Sequence, residues 1–255
     1  MTMDPASIAR QFHEDGFAIA RDIFSKEDLV RMEQELDRFV RDIGPTLTDG
    51  EIYYEDQPSK PVKSIYHLNK HSEFFKNLMT DARLNRIVRA IFPEGDLLQF
   101  AVSYFAKQAG SGSVTPAHQD NAFQNLIPPE DLVLTIAIDE SMPENGPLTV
   151  QKGSHKLGRL PHRPSGVKGF SQMLITPVDT VKYPEVQICM KPGDICMHQT
   201  NTIHRSDGNP SKHSRRQIGI SYRTTRAKRD EEGWKKYQAD LKKLHEQHPT
   251  ETTAR

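Results

Sequence analysis

The chain has 255 residues, with 34 basic and 34 acidic side chains, 11 histidines and 2 cysteines. This length fits one large domain, because a single hydrophobic core persists up to about 250 residues. The formal charges cancel, so no global field draws the protein onto nucleic acid or an anionic membrane. The composition therefore predicts no nucleic-acid or membrane partner and indicates no obligate protein partner, so a small-molecule substrate has to be identified from local sites.

The start of the chain and the cysteines indicate the compartment. Residues 1–21 are interrupted by charged side chains and contain no apolar signal-peptide core. Nowhere does the sequence contain the run of about 18 apolar residues that a membrane span needs. Cys189 and Cys196 are too few for a secreted disulfide scaffold and are expected to be reduced. A cytoplasmic protein is the expectation.

Helical patterns dominate the first third of the chain. A helix is predicted over residues 6–14, followed by a short extended segment that ends near Asp22. Ser25 with Asp28 resembles a capping box, and apolar residues then recur at helical spacing until Gly44. Further helices are predicted over 72–79 and 81–91.

The pattern changes near residue 97 to short runs rich in Val, Ile, Thr, Tyr and Phe, separated by clusters of Gly, Pro, Asn and Asp. Many short strands with such turns are typical of a sandwich or barrel. Residues 230–248 predict a terminal surface helix, docked by Trp234 and Tyr237. The predicted organisation is one domain over 1–255, with a mainly helical layer (1–95), a β core (96–225) and a C-terminal helix and tail (226–255).

The sharpest local feature is His118-Gln119-Asp120. In an extended backbone, residues two apart project to the same face, so His118 and Asp120 can direct an imidazole and a carboxylate at one point. His204, in a second strand-like run over residues 200–206, is the candidate for a third ligand. Two imidazoles and one carboxylate form the facial triad of non-heme Fe(II) oxygenases, which keeps positions open for a co-substrate and dioxygen.

A bare His-x-Asp sequence also fits a surface turn or a hydrogen-bonded pair. Other residues of the chain are needed to choose between these interpretations and a metal site. Ser206 follows His204 by two positions and so shares its strand face, and Arg215 comes later in the same region. A buried arginine offers a rigid fork that suits a carboxylate, such as the far end of a 2-oxoglutarate co-substrate.

These motifs follow one another in a characteristic order. The set is His118-Gln119-Asp120, Asp139, Glu144-Asn145-Gly146-Pro147-Leu148, Gly153-Ser154-His155, Gly193-Asp194, His204, Ser206, Asn209 and Arg215. In this order, and from Phe12 to Tyr222, the chain resembles the phytanoyl-CoA dioxygenase family of Fe(II)/2-oxoglutarate-dependent oxygenases. The resemblance implies a mainly β fold with flanking helices, a double-stranded β-helix (jelly roll, cupin-like) with an N-terminal helical layer.

The same resemblance implies the activity and the metal site. His118, Asp120 and His204 would bind Fe(II), and 2-oxoglutarate and dioxygen would be co-substrates. The implied reaction hydroxylates an unactivated C–H bond of a small, polar organic substrate and releases succinate and carbon dioxide. Because Asp120 occupies the carboxylate position, hydroxylation is expected in preference to halogenation.

The co-substrate contacts are also implied by the resemblance. Arg215 would pair with the far carboxylate of 2-oxoglutarate, and Ser206 would add a hydrogen bond there. Thr135 and Gln119 match positions that can touch the co-substrate in relatives, and Lys107 is a further candidate.

Two adjacent arginines compete for the carboxylate. Neighbouring strand residues point to opposite faces, so only one of Arg215 and Arg216 can reach the pocket. Arg215 shares its face with Gln217, Gly219 and Ser221, and Arg216 shares its face with Ile218, Ile220 and Tyr222. The small, polar set suits a co-substrate cavity and the apolar set suits packing, so Arg215 is predicted to face the pocket.

Other prominent residues receive structural interpretations. His198, His162 and His213 are expected at the surface or the core edge, because none has a carboxylate at strand spacing, and His155 is expected to close a turn. Residues 52–67 and 159–168 are predicted to flank the barrel mouth. Their mixture of aromatic and basic side chains suits a polar or anionic small molecule, and a solvated surface loop explains the charges equally well.

Two other classes of protein remain open at this point. A metal-binding jelly-roll module without oxygenase activity could keep the same fold. A zinc-dependent hydrolase could use the same two histidines and one aspartate with an open water site. Consumption of dioxygen and release of succinate would separate an oxygenase from both.

Overall fold

The computed structural model describes residues 4–167 and 170–247 of the chain. The α-helices of this part are α1 (Pro5–Asp15), α2 (Lys26–Arg38), α3 (Leu68–His71), α4 (Glu73–Leu78), α5 (Ala82–Ile91), α6 (Asn121–Gln124) and α7 (Glu231–Gln247). The strands are β1 (Phe17–Ala20), β2 (Ile52–Tyr54), β3 (Val62–Ile65), β4 (Leu97–Lys107), β5 (Thr115–His118), β6 (Leu126–Ile127), β7 (Asp131–Ala137), β8 (Leu148–Gln151), β9 (His162–Val167), β10 (Phe170–Leu174), β11 (Glu185–Ile188), β12 (Ile195–Gln199), β13 (His204–Ser206), β14 (Arg215–Thr224) and β15 (Lys228–Arg229).

Two antiparallel sheets form the centre of the fold. The main sheet has seven strands in the order β1-β12-β7-β14-β4-β3-β2, and the small sheet has four in the order β11-β8-β13-β5. Short pairs β9-β10 and β6-β15 complete the strands. This arrangement is the mainly β, jelly-roll architecture with flanking helices that the sequence predicts.

The outer face of the main sheet carries the larger hydrophobic core. Ile218, Ile220 and Tyr222 of β14 are fully buried there against apolar side chains of α1, α2 and α5. The Tyr222 hydroxyl donates a hydrogen bond to the Met79 carbonyl at 3.0 Å. The helices therefore cover one face of the main sheet and leave its other face to the small sheet.

A second, smaller core lies between the two sheets. Val150 of β8 and Ile188 of β11 pack against Phe17, Ala137 and Cys196 from the main sheet. Since these residues come from both sheets, the inner faces of the sheets meet. Cys196 is a free thiol buried in this cluster, and Cys189 is also free. The prediction of reduced cysteines is confirmed.

Helix α2 begins where the sequence places it. The Ser25 side chain accepts a hydrogen bond from the Asp28 N–H at 3.2 Å, and the Asp28 carboxylate accepts one from the Ser25 N–H at 3.1 Å. This capping box satisfies two N–H groups that the first turn leaves without helical partners. After Arg38 the helix widens into a π turn over Phe39–Ile43 before Gly44.

The first 95 residues are less purely helical than the sequence indicates. The predicted extended segment after α1 is β1, which pairs with β12 in the main sheet. Strands β2 and β3 also join this sheet, through β4. The predicted helical layer thus contributes three strands to the main sheet. Each of them forms backbone hydrogen bonds with a neighbouring strand that would otherwise be an edge strand.

The C-terminal helix is present as predicted, with His248 outside the described residues. Trp234 and Tyr237 of α7 pack together, with ring centroids 5.4 Å apart, and Tyr237 also contacts the Phe123 ring. Trp234 and Tyr237 therefore dock this helix, as expected. None of the described helices combines the length and apolar character needed to cross a membrane.

Candidate active site

The three predicted metal ligands converge between the two sheets. His118 ends β5 and His204 begins β13, and the register of these antiparallel strands places the two residues opposite each other. One ligand atom from each of His118, Asp120 and His204 lies within 4.8 Å of the others. The His118 and His204 rings have centroids 4.0 Å apart. The structure thus assembles two imidazoles and one carboxylate from distant parts of the chain.

Asp120 reaches the site by a route different from the predicted one. The expected extended backbone does not continue past His118, because β5 ends there and Asp120 adopts a helical conformation, with φ −60° and ψ −30°. Asp120 precedes α6, and the turn swings its carboxylate back toward the end of β5. Asp120 Oδ1 lies 3.5 Å from His118 Nε2 and 3.7 Å from His204 Nε2.

Backbone carbonyls fix the orientation of both histidine ligands. His118 Nδ1 lies 2.8 Å from the Pro116 carbonyl oxygen, and His204 Nδ1 lies 2.9 Å from the Thr202 carbonyl oxygen. A carbonyl oxygen can only accept, so each Nδ1 carries the proton and donates. Both Nε2 atoms therefore keep a free lone pair directed at Asp120, which is the tautomer that a metal requires.

The charges of the site also suit a metal ion. Burial raises the pKa of Asp120, but the histidine side chains around it outweigh this effect and hold the pKa well below its ordinary value. Burial lowers the pKa of His204 well below its ordinary value. An ionised carboxylate and neutral imidazoles are the forms that bind divalent cations.

His198 also contacts the carboxylate. Its side chain is 3% exposed, and its Nε2 lies 3.0 Å from Asp120 Oδ2. The expected surface or core-edge position of His198 was wrong, because the residue is buried and pairs with a carboxylate far away along the chain. Nothing within strand spacing identifies this pair, because His198 lies on β12 of the main sheet and Asp120 follows β5 of the small sheet.

Arg215 points into the space between the sheets. Its side chain is 5% exposed, and its Nη1 donates to Gln217 Oε1 on the same strand face. Its Nε is buried without a hydrogen-bond partner, and among the described residues it forms no salt bridge. Burial lowers the pKa of Arg215 to about 10, so the guanidinium is still charged at neutral pH.

Two other predicted co-substrate residues, one on β4 and one on β13, are also buried. Lys107 of β4 is the register partner of Arg215, and burial, with the charge of Arg215, lowers the pKa of this lysine to about 7. Ser206, which follows His204 on β13, has a buried hydroxyl without a partner. Three residues predicted to contact the co-substrate, Arg215, Lys107 and Ser206, are therefore buried, and Arg215 Nε and Ser206 Oγ have no hydrogen-bond partner.

Arg216 occupies the opposite face of β14, as predicted. Its guanidinium forms salt bridges with Asp139 at 2.8 Å and with Glu33 of α2 at 2.6 Å. Hydrogen bonds to Asp139 raise its pKa above the ordinary value. The assignment of the two arginines by strand parity is confirmed.

The remaining predicted co-substrate residues differ in their surroundings. Thr135 is buried on β7, opposite Cys196 and Gly219, on the inner face of the main sheet. Gln119 instead uses its amide within the chain: Nε2 donates to the Gly158 and Asn201 carbonyls, and Oε1 accepts from the Leu160 N–H. Contact of either residue with a co-substrate stays a prediction.

Aromatic rings surround the metal ligands on one side. The Phe170 ring centroid lies 4.4 Å from that of His118, and the Phe123 centroid lies 5.8 Å from it. Phe123 also contacts Tyr237 of α7, at 6.1 Å. These rings come from β10, α6 and α7, and their distance along the chain explains why sequence patterns do not identify the cluster.

One of the two segments predicted at the barrel mouth, residues 159–168, contacts the site. In the other segment, residues 52–67, burial raises the pKa of Tyr66 to about 12. His162 Nε2 accepts the Gln119 N–H at 3.0 Å, directly between the ligands in sequence. Lys168, by contrast, lies outside the described residues.

Two further histidines behave as predicted. His213 is exposed, and His155 lies in a 3₁₀ turn over Ser154–Leu157, where its Nε2 contacts the His13 carbonyl oxygen at 3.1 Å. The preceding Gly153 has φ +78° and Gly146 has φ +70°, as expected of glycines in turns. A Cβ on Gly146 would lie 2.4 Å from the Asp207 carbonyl oxygen, so this turn accepts no side chain.

The residues present fit an iron centre with a 2-oxoglutarate subsite. The donor set of two neutral imidazoles and one carboxylate is that of non-heme Fe(II) oxygenases. Arg215 Nε and Ser206 Oγ are buried polar atoms without partners, and a buried donor without a partner is costly unless a ligand satisfies it. A bound carboxylate would satisfy both atoms.

Comparison with known proteins gives a consistent result. The family described as Phytanoyl-CoA dioxygenase matches residues 12–217. An ectoine dioxygenase of Sphingopyxis alaskensis is 26% identical over 227 residues, which cover 82% of this chain and 73% of that protein. The phytanoyl-CoA dioxygenase domain-containing protein 1 of Mus musculus is 24% identical over 249 residues, which cover 81% of this chain and 85% of the relative.

A solved structure shares the fold. The crystal structure of EctD from S. alaskensis with 2-oxoglutarate and 5-hydroxyectoine superposes with a TM-score of 0.71 and 21% identity, covering 88% of this chain and 78% of that one. At this identity the likeness shows that the two proteins share a fold. It does not by itself show that they share a reaction.

Proposed function

This chain belongs to the phytanoyl-CoA dioxygenase family, and from that premise we propose that it is an Fe(II)/2-oxoglutarate-dependent dioxygenase that hydroxylates a small organic substrate. One observation carries the proposal. The metal-binding triad shares the inner space of the barrel with a buried arginine that has an unpartnered Nε and no salt bridge among the described residues. A metal-binding module or a zinc hydrolase needs the triad but has no use for this arginine.

Each part of the site has a defined task in this reaction. His118, Asp120 and His204 would hold Fe(II) on one side and leave positions open on the other. When bound, the iron couples oxidative decarboxylation of 2-oxoglutarate by dioxygen, which yields succinate and carbon dioxide, to insertion of the second oxygen atom into a substrate C–H bond. The protein supplies the position of each reactant.

Arg215 and Lys107 would bind the far carboxylate of 2-oxoglutarate. Lys107 and Arg215 are register partners on β4 and β14, and both are buried. Lys107 Nζ already donates to the Ser113 carbonyl, and a carboxylate bound at the two residues would offset the cost of burying their charges. Ser206 would donate its hydroxyl hydrogen to the same group. This binding fixes the direction in which the keto acid enters the site.

The aromatic rings would exclude water and contact the carbon skeleton of the substrate. Phe170 and Phe123 lie beside His118. We propose a small, polar organic substrate. The relatives named above act on ectoine or carry the phytanoyl-CoA dioxygenase name, and this breadth is the reason to screen compounds by succinate release. A cytoplasmic location stays a prediction.

An anaerobic titration tests the proposal. Metal-free protein receives Fe(II) and then 2-oxoglutarate, and the visible metal-to-ligand charge-transfer band is recorded. We expect the band in the wild-type protein and expect it to be lost in Asp120→Ala, because two neutral imidazoles hold a divalent cation poorly without the carboxylate. Succinate release in air should fall to background in the same variant.

His155→Ala is the matched control for this titration, since His155 hydrogen-bonds the His13 carbonyl and lies outside the triad. It should keep the band. If Fe(II) binds the wild-type protein and 2-oxoglutarate produces no band, the oxygenase proposal is wrong. Turnover of an ester or amide without dioxygen would then indicate the zinc hydrolase, and no turnover would indicate the binding module.

A further inference from the structure

His198 contacts the predicted metal ligand Asp120 although it is not itself one of the three predicted ligands. His198 Nε2 lies 3.0 Å from Asp120 Oδ2. An ionised carboxylate can only accept, so the His198 Nε2 carries a hydrogen and donates it. The other ring nitrogen, Nδ1, is buried without a hydrogen-bond partner. Among the hydrogen bonds of the described residues, the carboxylate of Asp120 is therefore the sole polar partner of this ring.

The two oxygens of Asp120 have different surroundings. Oδ1 lies 3.5 Å from His118 Nε2 and 3.7 Å from His204 Nε2, on the side where the free lone pairs of the ligands converge. Oδ2 is held by His198 from the main sheet. Because one hydrogen bond occupies Oδ2, the carboxylate presents Oδ1 to the metal position.

His198 is close to the ligands without joining them. Its ring centroid lies 4.4 Å from that of His204, yet among the described residues the cluster that could hold one ion contains His118, Asp120 and His204 and leaves His198 out. The His198 Nε2 is directed at Asp120, and its other nitrogen is buried. A histidine that only packs would not need a donor directed at a ligand oxygen.

We infer that His198 is a positioning residue that holds Asp120 as a one-oxygen ligand and so keeps a coordination position free for co-substrate or dioxygen. The inference rests on the proposed iron centre and adds a specific role to a residue outside the triad. A carboxylate without this hydrogen bond could rotate and bind through both oxygens. Hydrogen-bonded partners of metal ligands commonly fix ligand orientation in this way.

Three substitutions at His198 separate positioning from packing. His198→Gln places an amide N–H where Nε2 lies and keeps the donor. His198→Asn is equally polar but one methylene shorter, so it cannot reach Oδ2, and His198→Leu keeps the volume without a donor. His155→Leu is the control, because His155 also has one buried unpartnered nitrogen and one bond to a backbone carbonyl, with no contact to a ligand.

The measurement is the affinity of each metal-free variant for Fe(II), and for Co(II) as a spectroscopic probe of coordination. His198→Leu and His198→Asn should bind both ions about 10- to 100-fold more weakly, with altered Co(II) visible bands. His198→Gln should restore most of the affinity and the wild-type spectrum, and His155→Leu should match the wild type. If leucine prevents folding, the Asn and Gln pair still decides the question.

Two outcomes would overturn the inference, and only the second would also overturn the proposed function. Wild-type affinity and wild-type Co(II) bands in folded His198→Asn would show that His198 does not position Asp120, and the proposed function would stand. Absence of Fe(II) and Co(II) binding by the wild-type protein would overturn the positioning role and the proposed function together.

Discussion

The two faces of strand β14 place the same residue type in opposite electrostatic settings. Arg216, on the outer face, lies between Asp139 and Glu33, and these carboxylates raise its pKa. Arg215, on the inner face, is buried beside Lys107, and burial lowers its pKa to about 10. The outer arginine has its counter-charge built into the fold, and the inner one does not.

The difference indicates which face is for structure and which is for binding. Burying a cation without a partner is unfavourable, so a protein selected only for stability would not contain one. The outer face also carries the larger apolar core, whereas the inner face carries a smaller apolar core and the polar residues of the metal-binding triad. Substitutions on the outer face should therefore change stability, and those on the inner face should change ligand binding.

The largest expected effect is on the outer face. Ile220 is fully buried in the core beneath the helices, and Ile220→Ala removes packed atoms and leaves a cavity. We expect the free energy of unfolding to fall by about 2–5 kcal/mol, measured by urea denaturation. The KM for 2-oxoglutarate of the folded protein, measured at low temperature, should not change. A raised KM with unchanged stability would contradict the division between the two faces.

The adjacent arginines give the sharpest comparison. Arg215→Met should raise the KM for 2-oxoglutarate by about 10- to 100-fold, because a charge-assisted bond to the carboxylate contributes about 1.5–3 kcal/mol. It should not lower stability, since it removes a buried charge that has no partner. Arg216→Met is the control and should show the reverse, a loss of about 1 kcal/mol in stability with the KM retained. Steady-state succinate release and thermal unfolding measure the two effects. Equal KM values in the two variants would remove Arg215 from the co-substrate site.

A smaller effect should appear in the pH dependence. The pKa of Lys107 is about 7 in the folded protein against an ordinary value of 10.5, so between these values the unfolded chain binds more protons and stability rises with pH. Affinity for 2-oxoglutarate should fall in the same window, because Lys107 loses its charge there. We expect the KM to rise about tenfold as the pH passes above 7, a change equivalent to about 1.4 kcal/mol. Lys107→Met should have a flat profile, and a slope equal to that of the wild type would exclude the lysine.

The ligand set could be predicted from the chain, although its local geometry could not. His118, Asp120 and His204 are recognisable by residue type and order. His118 and Asp120 do not share the face of one extended strand, as their spacing predicts, because Asp120 is in a helical conformation before α6. Sequence spacing identified the pair, but the turn that unites them depends on how the end of β5 meets α6.

His198 illustrates what spacing along one strand misses. Its partner, Asp120, is 78 positions away and lies on the opposite side of the space between the sheets. No alternation or helical period links two such positions. The aromatic rings around His118 were missed for the same reason, since they come from α6 and β10.

By itself the sequence determined the fold class, the capping of α2, the triad and the choice of Arg215 over Arg216. The capping of α2 and the choice between the arginines follow from local chemistry, namely hydrogen bonds within one helical turn and side-chain alternation along a strand. The jelly-roll fold and the predicted triad follow from the resemblance of the ordered motifs to the family. The tertiary structure alone decided that the first 95 residues supply three strands to the main sheet and that His198 holds Asp120. It also decided that Lys107 faces Arg215. Those relations depend on which strands pair and which sheet faces which, and both are set by the packing of the whole chain.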